Sequence, residues 1–431
     1  MKKFILGIFA VCVALAGNAE IGVIDHIKTI KGDKVYKTGK DTYAVITYNV
    51  RWPREFKNLD VNKLQEFVVE NAFGLQGVSI EKAIEQNNAK FAEMFGGKPV
   101  NNITKENVLE MREKREDVFE KSYPECDVEV NFDKHDSERN LLIMEVINYI
   151  NSDNGLGAGE NFDYKKMYYD CSTGRKVEIN DLIKSEKQPA LLQMIKKKLL
   201  GGEEVDCVME ENVKAMSELP ATFDFDDYML YFRFAKYEVA CGMANNTSIG
   251  IAIEDIKDMF TPYGKKLLMG NNSFKDDKTA AEVKKRMQEY LDFYLKNVKE
   301  EKYDKLNDRN NFYTIEFVIA ERMCQRQAWE DGEETGWIDY DTWVDAQDIY
   351  NLSFEIKRVL VRNHNEAMVE LVVNNCDEKR VKRVIWAREK EMCIDDYSTS
   401  GTMMRDMMIK YLRPGDAVID VIEKKLPVLG E

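Results

Sequence analysis

Ile356-Lys357-Arg358-Val359-Leu360-Val361-Arg362, Ala367-Met368-Val369-Glu370-Leu371-Val372-Val373 and Val381-Lys382-Arg383-Val384-Ile385-Trp386-Ala387 follow one another with only short polar turns between them. Runs of this length, rich in β-branched residues and bounded by Asn, Asp and Glu, read as consecutive strands. A fourth run, Met392 to Asp395, continues the series. Upstream the period changes. Val283, Met287, Tyr290, Leu291, Tyr294, Leu295 and Val298 fall on one face of a helix predicted over Thr279 to Lys299. Thr279-x-x-Glu282 reads as its capping box. A second helix is predicted over Tyr313 to Gln327, followed by an acidic, Trp-containing loop from Trp329 to Tyr340. Helices followed by a curved meander make an α+β order.

Working outward, the polar stretch 269–278 reads as a linker, because 431 residues exceed one typical core and fit two domains. Before it, Tyr43 to Val50 reads as a strand, and Asp60 as the N-cap of a helix carrying Val61, Leu64, Phe67 and Val68. Helices are predicted over Ile80 to Phe95, closed by Gly96-Gly97, and over Lys105 to Lys121. Strands are predicted at Asp127 to Phe132, at Leu141 to Ile150, and after the Gly155 to Gly159 turn as far as Tyr169. The helix Pro189 to Leu200 and the strands Tyr228 to Ala235 and Ile249 to Ile253 complete a mixed first domain.

Residues 1–19 have the parts of a secretory leader: Lys2 and Lys3, the apolar run Phe4 to Leu15, and small residues ending at Ala19. Cleavage after Ala19 is expected, with a periplasmic or secreted product. No later stretch is apolar and long enough to span a bilayer, so no transmembrane segment is expected in the mature chain. Residues 414–431 follow the last element as a tail. The net charge of −15 argues against a nucleic-acid partner and suits attraction to a basic protein. Beyond Cys12 in the leader, Cys126, Cys171, Cys207, Cys241, Cys324, Cys376 and Cys393 form no C-x-x-C pair, so neither a zinc ribbon nor a thioredoxin-type site is indicated. An odd number of scattered cysteines reads as buried single thiols rather than a disulfide framework.

Catalytic signatures are missing from the sequence. His26, His135 and His364 lack paired metal-ligand spacing, and there is no G-x-S-x-G, Walker loop or strand-flanked G-x-G-x-x-G, so no cofactor or metal is expected. Asp224, Asp226 and Asp227 lack the spacing and central glycine of an EF-hand loop and read as a solvated turn. Glu330, Asp331, Glu333 and Glu334 read as an exposed face. Trp343, Gln347, Asp348 and Tyr350 are candidates to line a pocket mouth; the competing reading places Trp343 in the core. An acid–base site in such a pocket needs a carboxylate or His with a raised pKa.

Two resemblances bear on these readings. Tyr164 to Asp170, Thr173-Gly174-Arg175-Lys176-Val177, Asn180-Asp181-Leu182-Ile183, Phe223-Asp224-Phe225 and Tyr237 to Gly242 resemble, in this order, the domain of unknown function outside the membrane in RsiV-type anti-sigma factors and beside some peptidoglycan deacetylases. The likeness spans residues 41–268. Family members commonly carry a His in a Gly-Gly-Ala-His-Gly turn where this chain has Gly157-Ala158-Gly159. Asp341-x-Trp343, Ala346-Gln347-Asp348, Val381 to Trp386 and Ile394-Asp395-Asp396-Tyr397 resemble a nuclear-transport-factor-2-like family, over 279–413. That resemblance implies a cone: a curved sheet closed by helices around a pocket. Such cones serve as enzymes and as binding modules. Together these features lead to the expectation of a non-catalytic envelope module that binds a basic, lysozyme-like protein or a cell-wall component. The alternative is an enzyme acting on a small molecule or sugar through the second-domain pocket.

Overall fold

The computed structural model describes residues 27–412, apart from 41, 56–58, 115–124, 137, 152–159, 203–204, 206, 236, 242–246, 271–275, 303–305, 307–310, 334–335, 339 and 400–401. The leader 1–19, His26, the Gly155 to Gly159 turn, the end of the helix predicted to reach Lys121 and the 414–431 tail lie outside the described residues. The fold is α+β, in two compact units: Met1–Asp136 with Asn140–Val177, and Ser137–Arg139 with Glu178–Glu431. The predicted boundary at 269–278 lies inside the second unit. Among the described residues no helix is long and apolar enough to cross a membrane.

The first unit is built on β1 (Ile27–Lys37), β2 (Tyr43–Pro53), β3 (Lys98–Pro99), β4 (Glu125–Asp136), β5 (Leu141–Asn151), β6 (Glu160–Asp170) and β7 (Arg175–Lys176). Their order in the sheet is β3-β1-β2-β4-β5-β6-β7. β2 and β4 run parallel, from Val45 opposite Glu125 to Val50 opposite Val130, and the other neighbours are antiparallel. Between β2 and β4 the chain forms α1 (Val61–Phe73), α2 (Ile80–Met94) and α3 (Lys105–Glu113). α1 starts where the sequence indicated, with the Asp60 carboxylate accepting from Asn62 N. Leu64, Phe67 and Val68 of α1 and Ile84 of α2 pack with Val50, Val130, Leu142 and Met144. Val45, on the opposite side of β2, meets Val108 of α3, as the two-residue period of a strand requires.

The second unit opens with α4 (Ile179–Leu182), α5 (Gln188–Gly201) and α6 (Glu210–Ala215). β8 (Phe223–Phe225), β9 (Met229–Arg233) and β10 (Ser248–Ala252) form a three-stranded antiparallel sheet with β9 in the centre. After α7 (Ile253–Ile256) and α8 (Pro262–Met269) come α9 (Asp277–Lys299) and α10 (Ile315–Glu330). The meander follows as β11 (Ser353–Asn363), β12 (Glu366–Asn375), β13 (Glu378–Arg388), β14 (Met392–Thr399) and β15 (Thr402–Met403), in sheet order β11-β12-β13-β14-β15. α11 (Met404–Tyr411) ends the described chain.

The cap of α9 corrects the sequence reading. Asp276, not Thr279, is the N-cap: its Oδ1 accepts from Lys278 N and Thr279 N, and its Oδ2 accepts from the Thr279 hydroxyl. Glu282 is thereby released from a capping role and takes Arg388 in a two-pronged ion pair at 3.0 and 2.8 Å.

The central strand β12 is buried along nearly its whole length because both of its faces are covered. On one face Ala367, Val369, Leu371 and Val373 join Val361, Val384, Trp386 and Ile394 against α9, α10 and α11. On the other, Met368 meets Leu360, Ile385 and the three-stranded sheet through Tyr228, Met229, Tyr231 and Ala252. Ion pairs support this second contact. Arg362 holds Asp227 at 2.8 Å, Arg358 bridges Asp255 and the buried Glu370, and the Arg383 guanidinium lies 4.9 Å from the Tyr231 ring centre. Asp224 and Asp227 are therefore buried rather than solvated. Asp226 accepts from Tyr228 N, Met229 N and the Tyr231 hydroxyl. No cluster of metal ligands occurs among the described residues.

Candidate binding pocket

The tip of the β12–β13 hairpin and the loop before β11 build the site. Asn375 and Glu378 are paired across a two-residue turn whose residues, Cys376 and Asp377, both have left-handed backbones (φ 53° and 64°), the geometry of a type I′ hairpin turn. Asn375 ties the preceding loop to this tip. Its Oδ1 accepts from Tyr350 N and its Nδ2 donates to the Asp348 carbonyl, while Cys376 N donates to the Tyr350 carbonyl.

Beneath the loop Lys382 is 1% exposed and is fully engaged. Its Nζ donates to the carbonyls of Thr342 and Ser398 and to both oxygens of the Asp345 carboxylate, at 2.7 to 2.9 Å. Burial pulls the Lys382 pKa below the usual lysine value, and the Asp345 carboxylate opposes that pull. Arg380 adds a bond to the Asp345 carbonyl and an ion pair to Glu378. These backbone and charge contacts add to the apolar packing of Trp343 and Val344 in holding the loop against the sheet.

The resulting pocket, of about 350 Å³, is lined by Val344, Ala346, Gln347, Asp348, Val373, Asn375, Cys376, Glu378 and Arg380. Two carboxylates, two amides and a guanidinium over a few small apolar side chains make a polar recess. Such a recess suits a ligand rich in hydroxyl or amide groups.

Of the four residues singled out from sequence, Gln347 and Asp348 line this pocket. Tyr350 is two-thirds exposed and contributes backbone bonds to the hairpin tip. Trp343 is 1% exposed and lies in the core. Asn375, Glu378 and Arg380 were not singled out, since roughly thirty residues separate them from Asp348 and only strand pairing brings them to it.

The inner face of the five-stranded sheet is filled with aromatic side chains. The Trp343 ring is 4.7 Å from that of Tyr290, and its indole N–H donates to the Tyr313 hydroxyl at 2.8 Å. Tyr290 and Tyr313 share a hydroxyl contact of 2.9 Å, Tyr294 donates to Asp341 at 2.5 Å, and Thr342 pairs with the Tyr397 hydroxyl at 2.7 Å. Phe317 packs on Tyr313 and Tyr397. Buried hydroxyls and the indole are thus satisfied within the cluster.

Burial raises the pKa of three carboxyls, Asp127, Asp226 and Asp396, and none of them lines the pocket. Burial pushes Asp396 up to about 8, against the pull of Arg405 and of the backbone N–H groups of Tyr397 and Arg405. Those two N–H groups donate to its Oδ1 at 2.8 and 3.2 Å, at the first turn of α11. Asp396 does not line the pocket. Its neighbour Asp395 accepts from Thr314 Oγ1 and from Arg405, at 2.7 and 2.6 Å.

No family model matches the chain, and no curated protein matches it. Among solved structures, the chain is similar to a member of the DUF3298 family from Bacteroides fragilis, with 13% identity and a TM-score of 0.41, over 57% of this chain and 97% of that one. It is also similar to a DUF3298 family protein from Pseudomonas aeruginosa, with 11% identity and a TM-score of 0.35, over 55% of this chain and 94% of that one.

Proposed function

We propose that this protein is an exported, non-catalytic binding module of the cell envelope that recognises a protein or cell-wall ligand. The observation that carries this reading is the filled inner face of the meander sheet. Trp343, Tyr290, Tyr294, Tyr313, Phe317 and Tyr397 pack into one buried core on that face, which supports a binding module over an enzyme that would need an open interior there. The polar recess of Gln347, Asp348, Glu378 and Arg380 is left as a place to bind rather than to enclose. In this reading the second half of the chain is a nuclear-transport-factor-2-like cone and the first half an RsiV-like domain. The helices α9 and α10 on one face of a five-stranded meander with two register shifts in its β11–β12 pairing support the cone. The leader at 1–19 supports export, and N-terminal sequencing of protein from its host is expected to begin near Glu20.

Lysozyme is the first candidate partner, because an acidic chain attracts a basic protein. Titration by calorimetry against lysozyme, against a second basic protein of similar size, and against soluble peptidoglycan fragments tests the reading. Saturable binding to lysozyme but not to the second protein supports a protein partner, and binding of the fragments supports a cell-wall ligand. Equal binding to both basic proteins reduces the effect to charge attraction, and no binding to any of the three sinks the proposal.

A second reading, an enzyme acting on a small molecule or sugar through the second-domain pocket, is favoured by Asp348 and Glu378, two carboxylates that line the recess. Consumption of a fragment that Asp348→Asn or Glu378→Gln abolishes, with the fold intact, would establish it.

A further inference from the structure

Cys207 and Cys241 are separated by more than thirty residues in the chain and stand opposite one another in the second unit. Val208 and Ala240 form an antiparallel bridge. The backbone bonds that define it are Met209 N to the Val239 carbonyl at 2.7 Å and Cys241 N to the Cys207 carbonyl at 3.0 Å. Residues in Cys207 and Cys241's relation across an antiparallel pair have α-carbons roughly 5.5 Å apart. A disulfide bridges α-carbons about 4.4 to 6.8 Å apart. Cys207 is exposed and Cys241 half-buried, so an oxidant reaches the pair from solvent. The Cys207 backbone is left-handed, with φ of 52°, an unfavourable state for a residue with a β-carbon unless its surroundings hold it.

The remaining cysteines are placed otherwise. Cys126 stands between Ile46 and Ile150 in its sheet, Cys393 faces Ala387, and Cys324 is directed at the Met408 carbonyl from within α10. Burial raises the thiol pKa of Cys126 to about 12 and of Cys171 to about 11, which suppresses the thiolate that reacts.

We propose that Cys207 and Cys241 form a disulfide that staples the segment between them. That segment carries α6, β8 and β9, and β9 is the strand whose Met229 and Tyr231 cover the outer face of the meander sheet. The oxidant is a disulfide, of a protein or of a small thiol. The Cys207 thiolate attacks it and gives a mixed disulfide, releasing one thiol. The Cys241 thiolate then attacks the Cys207 sulphur, closing the Cys207–Cys241 bond and releasing the second thiol. Two S–H bonds are lost from the protein, one S–S bond forms, and the oxidant is reduced to two thiols.

The full chain, reduced and then incubated with oxidised glutathione, tests this. Non-reducing peptide mass mapping is expected to recover the Cys207 and Cys241 peptides as one linked species, two mass units lighter than their sum. The oxidised protein should melt on the order of 5 to 10 °C above the reduced one, since the bond closes a loop of more than thirty residues. Cys207→Ser and Cys241→Ser should each remove the linked species and the shift, and Cys376→Ser should leave both. Recovery of Cys207 and Cys241 on separate peptides, as glutathione adducts, as unmodified thiols or joined to other cysteines, overturns the proposal. The mapping uses the unsubstituted chain, so it decides the matter even where a serine variant fails to fold.

Discussion

Trp343 lies stacked on Tyr397, with ring centres 4.6 Å apart and planes 21° from parallel. One ring comes from the loop before the meander and the other from its fourth strand, so the contact ties the pocket loop to the sheet. Trp343→Ala removes the stack, the contacts to Tyr290 and the indole bond to Tyr313. The expected cost is about 3–5 kcal/mol in urea unfolding, the range for a buried aromatic truncated to alanine. A cost under about 1 kcal/mol would show that Trp343 is not a core residue.

Lys382 and Asp345 form a buried pair, with side chains 2% and 7% exposed. Removing one partner leaves the other's charge uncompensated away from solvent, although Lys382 keeps the Thr342 and Ser398 carbonyls as acceptors. Lys382→Met or Asp345→Asn alone should therefore cost about 3–5 kcal/mol. The double variant should recover part of that loss, and a double-mutant cycle measures the coupling. Additive costs would mean that the two groups act independently.

Asp396 sets a pH dependence whose sign can be worked out. Its folded pKa, about 8, lies above its unfolded value, so the folded state holds a proton that the unfolded state releases. Its contribution to stability is complete below about pH 4. From there to about pH 8 the contribution declines, by roughly 1.4 kcal/mol per unit where folded Asp396 is protonated and unfolded Asp396 ionised. Asp396→Asn, which keeps an oxygen acceptor and cannot ionise, should flatten this part of the profile. Denaturant unfolding at pH 5, 6 and 7 checks it, and an unchanged slope would count against a protonated Asp396.

Gly264, in the first turn of α8, lies against α4. A β-carbon there would sit 2.2 Å from the Leu182 carbonyl oxygen and 2.7 Å from its α-carbon. Both are backbone atoms, so α8 must shift, and with it the bond from the Thr261 hydroxyl to the Asp181 carbonyl. Gly264→Ala is expected to cost about 1–3 kcal/mol, whereas Gly201→Ala, with open space at its β-carbon position, should be close to neutral or stabilising. Equal effects would contradict the packing.

Limited proteolysis is expected to cut between Gly270 and Lys278. The two pieces should nevertheless stay together in gel filtration, because Met229, Tyr231, Met368 and Ile385 pack across the cut and Arg362 holds Asp227. Fragments that separate without denaturant would show that these contacts are weak.

Local geometry was legible in the residues. The apolar positions of α9 lie on one face because the helical period alone places them there, and Val283, Met287, Tyr290, Leu291 and Tyr294 are all buried. The runs that became β11, β12 and β13 could be read because strand propensity and turn residues act over a few neighbours. β1 and α11 went unread. β1 alternates weakly, with mostly exposed residues, and the N-cap of α11, Met403, makes no side-chain capping bond. The remaining features required the tertiary structure. Asp276, not Thr279, caps α9, and Glu282, the partner expected in a Thr279 capping box, instead pairs with Arg388, more than a hundred residues further on. Glu378 and Arg380 joined Gln347 and Asp348 through the register of a hairpin, and Cys207 met Cys241 across a single bridge. Each of these pairings depends on which distant segments share a register or a packed face. The residues of one segment do not encode that choice, because its energy resides in contacts that form only when the chain is folded.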